Sequence, residues 1–475
     1  MKKINQVVTD YEKYPTKVIQ FGEGNFLRAF VDWQIHQMNQ KGLFKGGIKI
    51  VQPLERGMGE MLKAQDNLYT VLLEGILDGQ KVQSNEVITE INDVLNPYED
   101  YAAYLKLAEE DSIEFIFSNT TEAGIAFDEQ DQMNDQTPKS YPAKLTALLY
   151  RRFELKKPGF QIIPCELINH NGAQLKDCIL QYATLWQLGA EFIDWINNEN
   201  DFYATLVDRI VPGYPKDRAT ELCQQFGYED QLIVKAEPFL IFVIEGNPKL
   251  AELLPLKAAG INAVFTTNMQ PYRERKVRLL NGPHTTMAPI ARLAGIETVG
   301  QVMNDGDFSK FVNDEMYQEI MPVIDLPDAE LAAYAEAVKE RFSNPFVKHE
   351  LQSIALNSVS KFKARLLPTL VQFEAQEHRL PRRIVLALAA LLVTYGDYPE
   401  IDVQPIDMPD VMADLKAIGQ KADYVEQALQ DTQLWGQDLT QIKGLVTAVE
   451  ADVQCLLTQG ARQSVQMINQ EATEA

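Results

Sequence analysis

Up to about residue 160, apolar positions come in short runs separated by helical patterns. Residues 17–21 (KVIQF) form an apolar run that ends at a glycine and predict a strand. Over 26–38, Phe26, Leu27, Phe30, Val31 and Ile35 share one face of a helix. Residues 48–51 (IKIV) predict a second strand, and 69–73 and 82–88 predict two more around the Asp78-Gly79 turn. Residues 113–118 (IEFIFS) and 160–164 (FQIIP) predict buried strands, with a helix over 144–155 between them. This rhythm predicts an α/β fold, a parallel sheet wound on both faces.

Past about residue 250 helical periodicity takes over. Helices are predicted over 328–342, 344–369, 382–395, 424–430 and 441–458, and extra strands over 237–246 and 263–266 near the junction. The predicted organisation is an α/β domain over 1–250 and a mostly α-helical domain over 251–475. The longest apolar run, IVLALAALLV over 384–393, is too short for a bilayer, which needs about 20 residues. It predicts a buried helix.

Composition narrows the partners. Acids outnumber bases 67 to 44 in 475 residues, for a net charge of -23. Such a surface repels phosphate backbones and anionic lipid, so neither nucleic acid nor a membrane is the expected partner. Cys165, Cys178, Cys223 and Cys455 are scattered without CxxC spacing, which matches four reduced thiols in a cytoplasmic protein. No histidine pair has the helical spacing of a metal site, and no metal is expected. The pattern leaves the oligomeric state open.

Candidate chemistry sits in two stretches. Phe21-Gly22-Glu23-Gly24-Asn25-Phe26 falls where the first strand turns into the first helix. A GxG there lets the backbone approach a pyrophosphate at a helix N-terminus. Leu27 replaces the third glycine of the usual pattern, and Arg28 lies a turn into the helix, within reach of a phosphate or a substrate carboxylate. The second strand ends at Gln52 rather than an acid, so this position leaves NAD and NADP both open. Asn119, Thr120 and Thr121 follow another strand, at the end where parallel sheets bind ligands.

The second stretch is Lys276…Asn281…His284, with Arg273, Arg275 and Arg278 around the lysine. On a straight helix at about 100° per residue, Asn281 lies about 140° and His284 about 80° from Lys276. Hydride transfer to a ketone builds negative charge on oxygen. An ammonium can protonate that oxygen, an amide can stabilise it, and an imidazole can hold substrate or lysine in place.

This Lys-x4-Asn-x2-His run resembles the signature of the polyol-specific long-chain dehydrogenases, the mannitol dehydrogenase family. The FGEGNFLR loop, Val207-Asp208-Arg209-Ile210 with Pro212, and Cys165-Glu166 with Asn171-Gly172 resemble further family segments along almost the whole chain. The resemblance implies an NAD-dependent dehydrogenase without a catalytic metal, with a Rossmann-type dinucleotide-binding domain over 1–250 and a mainly helical substrate or catalytic domain over 251–475. Lys276 would be its general acid/base, Asn281 would stabilise the oxyanion, His284 would contact substrate and help place the lysine, and Asp208 would stand behind the substrate-contacting residues or along the substrate channel. Leu167 stands where mannitol-type members carry a second oxyanion asparagine, with Asn169 or Asn171 as substitutes. Within the family the closest likeness is to members acting on keto-sugar acids. Their carboxylate needs a cation, for which Arg28, Arg273 and Arg275 are the candidates, Arg278 pointing away from Lys276. The alternatives are reduction of fructuronate, oxidation of mannitol, or a nucleotide sensor without catalysis.

Overall fold

The computed structural model describes residues 1–134, 136–396, 398–419 and 421–474, the last three by backbone alone. It divides into two units. Met1–Gly75 and Lys81–Met269 form the first, and Ile76–Gln80 and Gln270–Ala475 the second.

In chain order the strands are β1 (Thr16–Phe21), β2 (Gly47–Val51), β3 (Tyr69–Leu77), β4 (Gln80–Ile88), β5 (Ile91–Leu95) and β6 (Phe115–Ser118). They continue as β7 (Gln161–Pro164), β8 (Asp201–Phe202), β9 (Ala204–Asp208), β10 (Val234–Ala236), β11 (Ile241–Glu245) and β12 (Ala263–Thr266). A parallel sheet in the order β5-β2-β1-β6-β7-β8 is the frame of the first unit. Val18 on β1 enters the apolar cluster on one face, while Ile19 and Phe21 enter the cluster on the other. Burial of both faces explains why β1 reads as a continuous apolar run rather than an alternating one.

The strand order reverses between β1 and β6, whose last residues Phe21 and Ser118 pair in register. Helices leaving such neighbours in opposite directions open a crevice at the carboxyl ends of the strands. Two smaller sheets, β10-β3-β4 and β12-β11-β9, complete the first unit among the described residues. Because β11 pairs with both β9 and β12, the chain stays with this unit through Thr266.

The second unit is helical. Residues 383–395 of the Arg382–Tyr395 helix are all buried, as the apolar run predicts. The helix expected over 344–369 is instead Leu351–Ile354, Ser358–Arg365 and Leu367–Glu377. Asn357 takes the left-handed conformation and Pro368 lies in the first turn of the third piece, which separates them. The predicted 441–458 helix begins at Leu445, after the left-handed Gly444. Among the described residues no helix is long and apolar enough to cross a membrane.

Candidate active site

The loop after β1 is built around a close approach. Gly22 has φ +119°, and a Cβ there would lie 3.0 Å from the backbone oxygen of Asn119. Only glycine lets the β1 and β6 loops meet in this way. At Gly24 a Cβ would meet nothing within 4 Å, and the helix begins at Asn25. Gly24 thus borders open space at a helix start, where the first N–H groups lack intrahelical partners. The space belongs to a cavity of about 430 Å³ lined by Gly22, Gly24, Asn119, Thr120, Thr121 and Tyr141 among others. Backbone donors, the helix dipole and room beside Gly24 fit the pyrophosphate of a dinucleotide. Leu27, in place of the usual third glycine, is buried in the core. Phe21 also points into the core, its ring 4.8 Å from that of Tyr141, and Phe26 stacks on Phe30.

Glu166 ties the far wall of this cavity together. One carboxylate oxygen accepts from the Thr120 N–H at 2.9 Å and the Thr120 hydroxyl at 3.0 Å, and the other accepts from the Ser118 hydroxyl at 3.0 Å. Burial pushes its carboxyl up, and the three donors oppose that shift. Asn119 donates to the Cys165 carbonyl. Thr121 carries φ +76°, an unusual backbone for a β-branched residue. Glu166 thus fixes the Ser118–Thr121 turn. The sequence marked its segment but assigned it no role, because the partners lie 46 and 48 positions away.

Three expected ligand contacts are committed elsewhere. Arg28 is fully buried and donates to the Glu23 and Leu232 carbonyls and to Asn25 Oδ1. It holds the loop rather than reaching for a carboxylate. Gln52 donates to the Leu54 and Glu55 carbonyls and accepts from the Gly59 N–H, so it shapes the loop after β2 instead of holding a ribose. Asn171 is fully buried and donates to Pro164, Glu166 and Thr205, which joins β7 to β9 rather than touching substrate. Asp208 is buried at the end of β9, opposite Ile241. Leu167 is exposed.

In the second unit Lys276 ends the helix Gln270–Lys276, and Asn281 ends the wide π turn Val277–Asn281 that follows. The helix then continues without a stop as Gly282–Leu293. The Gly282 N–H donates to the Val277 carbonyl, five residues back. A turn closed over five residues rotates less per residue than an α-helix. Lys276 and Asn281 therefore lie closer to one side than the 140° of a straight helix implies. The wide turn also accommodates Pro283, which has no N–H to donate.

His284 is buried, its ring 4.3 Å from Phe342 and 4.8 Å from His349. Its Nε2 has no hydrogen-bond partner among the described residues. Burial, then the charges of His349, Arg341, Arg365 and Lys361, hold it well below the usual histidine range, so the ring is neutral at pH 7. Thr285 donates to the Asn281 carbonyl at 2.9 Å and accepts from Arg365 at 3.3 Å. Arg275 is buried between the Tyr272 and Tyr334 rings and paired with Glu330 at 2.6 Å, so its charge is already balanced. Arg278 is bound by Val323, Gln372 and Glu274. Arg273 is half-buried on the same helix. The sequence missed His349, Lys361 and Arg365, which come from segments distant along the chain. Among the described residues no group of three or more His, Cys, Asp or Glu could hold a metal.

The family models for the mannitol dehydrogenase Rossmann domain and C-terminal domain match residues 16–258 and 268–457. This chain belongs to the mannitol dehydrogenase family. An altronate oxidoreductase of Yersinia enterocolitica is 42% identical to it, over 98% of this chain and 99% of its own. One of Bacteroides thetaiotaomicron is 43% identical, over 98% of this chain and its whole length. Two solved structures share the fold. A D-sorbitol dehydrogenase has a TM-score of 0.80 at 22% identity, over 96% of each chain. The Pseudomonas fluorescens mannitol 2-dehydrogenase, solved with NAD and D-mannitol, has a TM-score of 0.68 at 24% identity, over 96% of this chain and 94% of its own. In this family member the wide turn thus separates Lys276 from Asn281 within one continuous helical run.

Proposed function

We propose that this chain is an NAD-dependent oxidoreductase that interconverts tagaturonate and altronate. The full-length identity of 42% to altronate oxidoreductases carries the reading. The glycine loop, with its helix N-terminus and the open space at Gly24, supports dinucleotide binding.

The nicotinamide cofactor supplies or accepts the hydride when bound. Residues 22–25 would hold its pyrophosphate by backbone N–H groups, and the Asn119–Thr121 turn, fixed by Glu166, would border its reactive end. In reduction the Lys276 ammonium gives a proton to the carbonyl oxygen, while the Asn281 amide donates a hydrogen bond to the developing negative charge. Neutral His284 places substrate or lysine without adding a competing proton source. In oxidation the same lysine, deprotonated, takes the hydroxyl proton. No metal takes part in this scheme. The cytoplasm is the compartment that the four unpaired cysteines and NAD chemistry suit.

The test is loss of NADH absorbance with tagaturonate, fructuronate and fructose offered separately. Turnover on tagaturonate alone is expected, with NADPH much poorer. Turnover confined to fructuronate or fructose would keep the mechanism and overturn the substrate. No turnover with either cofactor would leave a nucleotide-binding protein without this chemistry.

A further inference from the structure

The helical unit of this acidic chain generally pairs its buried cations. Arg383 meets Asp314 and Glu319, Arg382 meets Asp452, and Arg275 meets Glu330. The helix Ser358–Arg365 departs from this. Lys361 and Arg365 are both half-buried, and among the described residues neither makes an ion pair. Lys361 donates to the Ile354 carbonyl at 2.8 Å, and Arg365 donates to the Thr285 hydroxyl at 3.3 Å. The acid that acts on Lys361 is Asp407, which already accepts from the Tyr395 hydroxyl and the Val359 N–H.

Lys361 and Arg365 stand four residues apart, so they share one helix face. Like charges at that spacing oppose each other. Partial burial lowers the pKa of both, and Arg365 lowers that of Lys361 further. The helix packs on the wide turn that ends at Asn281 and on the helix that carries His284. Thr285, the residue after His284, links Arg365 directly to the Asn281 carbonyl. Beside them His284 Nε2 is buried with no hydrogen-bond partner among the described residues, and the His349 ring stands edge-on to it. Two half-buried cations without an ion pair and an orphan imidazole nitrogen, beside the turn that ends at Asn281, describe a site for an anion bearing hydroxyl groups.

We propose that Arg365 and Lys361 bind the carboxylate of the sugar-acid substrate and set the preference for acids over neutral ketoses. This rests on the function proposed above and replaces Arg28 and Arg275 in that role. Arg365 supplies planar guanidinium donors, and Lys361 a second positive charge on the same helix face.

The experiment compares tagaturonate with tagatose, its neutral counterpart, which carries a hydroxymethyl group in place of the carboxylate. Arg365→Gln and Lys361→Gln should each raise KM for tagaturonate by about 10- to 100-fold, the range of a lost charge-assisted contact. For tagatose kcat/KM should change little, so the acid-to-neutral ratio collapses. Arg365→Lys should restore part of that ratio. Equal losses on both substrates would overturn the proposal and make the two cations structural, as would an unchanged ratio. If Arg365→Gln does not fold, the half-exposed Lys361 reads the same ratio. A wild-type enzyme with no activity on tagaturonate would instead overturn the function on which the proposal rests.

Discussion

At the residue scale, position decides role more than residue type. Three candidates of suitable chemistry, Arg28, Gln52 and Asn171, spend their hydrogen bonds on the chain itself. Lys276 is the residue on which the proposed proton transfer depends. Lys276→Ala should reduce kcat by about 10²- to 10⁴-fold, the usual weight of general acid-base catalysis. NADH binding, followed by fluorescence titration, should stay within about threefold of wild type. Turnover at the wild-type rate would remove the lysine from the mechanism. The two glycines of the loop separate fold from ligand. Gly24→Ala adds a methyl group that touches no protein atom, so the melting temperature without ligand should hold while NADH affinity drops at least tenfold. Gly22→Ala, strained at φ +119° and pressed against Asn119, should lower both.

At the element scale, wide turns interrupt the helices that carry candidate site residues. The turn Arg28–Asp32 follows the glycine loop, and Val277–Asn281 separates the proposed acid from the oxyanion amide. The first releases carbonyls that find other donors. Arg209, in the Val207–Ile210 segment, donates to Ala29 O, and the Tyr69 hydroxyl donates to Arg28 O. Helical periodicity in the sequence locates both helices but does not show a turn that takes one extra residue, because apolar spacing tolerates that drift. Helix pairing also carries a titration. Glu315, the last residue of Gly306–Glu315, accepts from the Thr286 hydroxyl, and burial pushes its carboxyl up to about 8. The folded chain keeps this proton where the unfolded chain, with an ordinary value of 4.5, has released it. The folded state therefore binds more protons between those values, and this group's contribution to stability falls as pH rises from about 4.5 to about 8. Glu315→Gln has no proton to lose. Its melting temperature relative to wild type should climb from pH 5 to pH 8, and a flat difference would mean that the folded carboxyl is ionised throughout.

At the scale of the whole molecule, the charge of -23 works against an anionic substrate. The Debye length shrinks from about 30 Å at 0.01 M salt to about 8 Å at 0.15 M. Between those salts kcat/KM for tagaturonate should rise while that for tagatose stays constant. A fall would show that local cations, rather than the global field, govern the encounter. The sequence by itself determined the parallel α/β frame, the helical second half, the buried run at 384–393 and the glycine loop. These follow from periodicity and glycine stereochemistry, which are local properties. It also singled out Lys276, Asn281 and His284 as candidates, whose spacing falls within one helical stretch. Only the tertiary structure decided that Arg28 and Arg275 are already satisfied, that Glu166 pins the Ser118–Thr121 turn, and that Arg365 and Lys361 make no ion pair among the described residues. Whether a charge is balanced depends on partners dozens of residues away, and no local pattern carries that information.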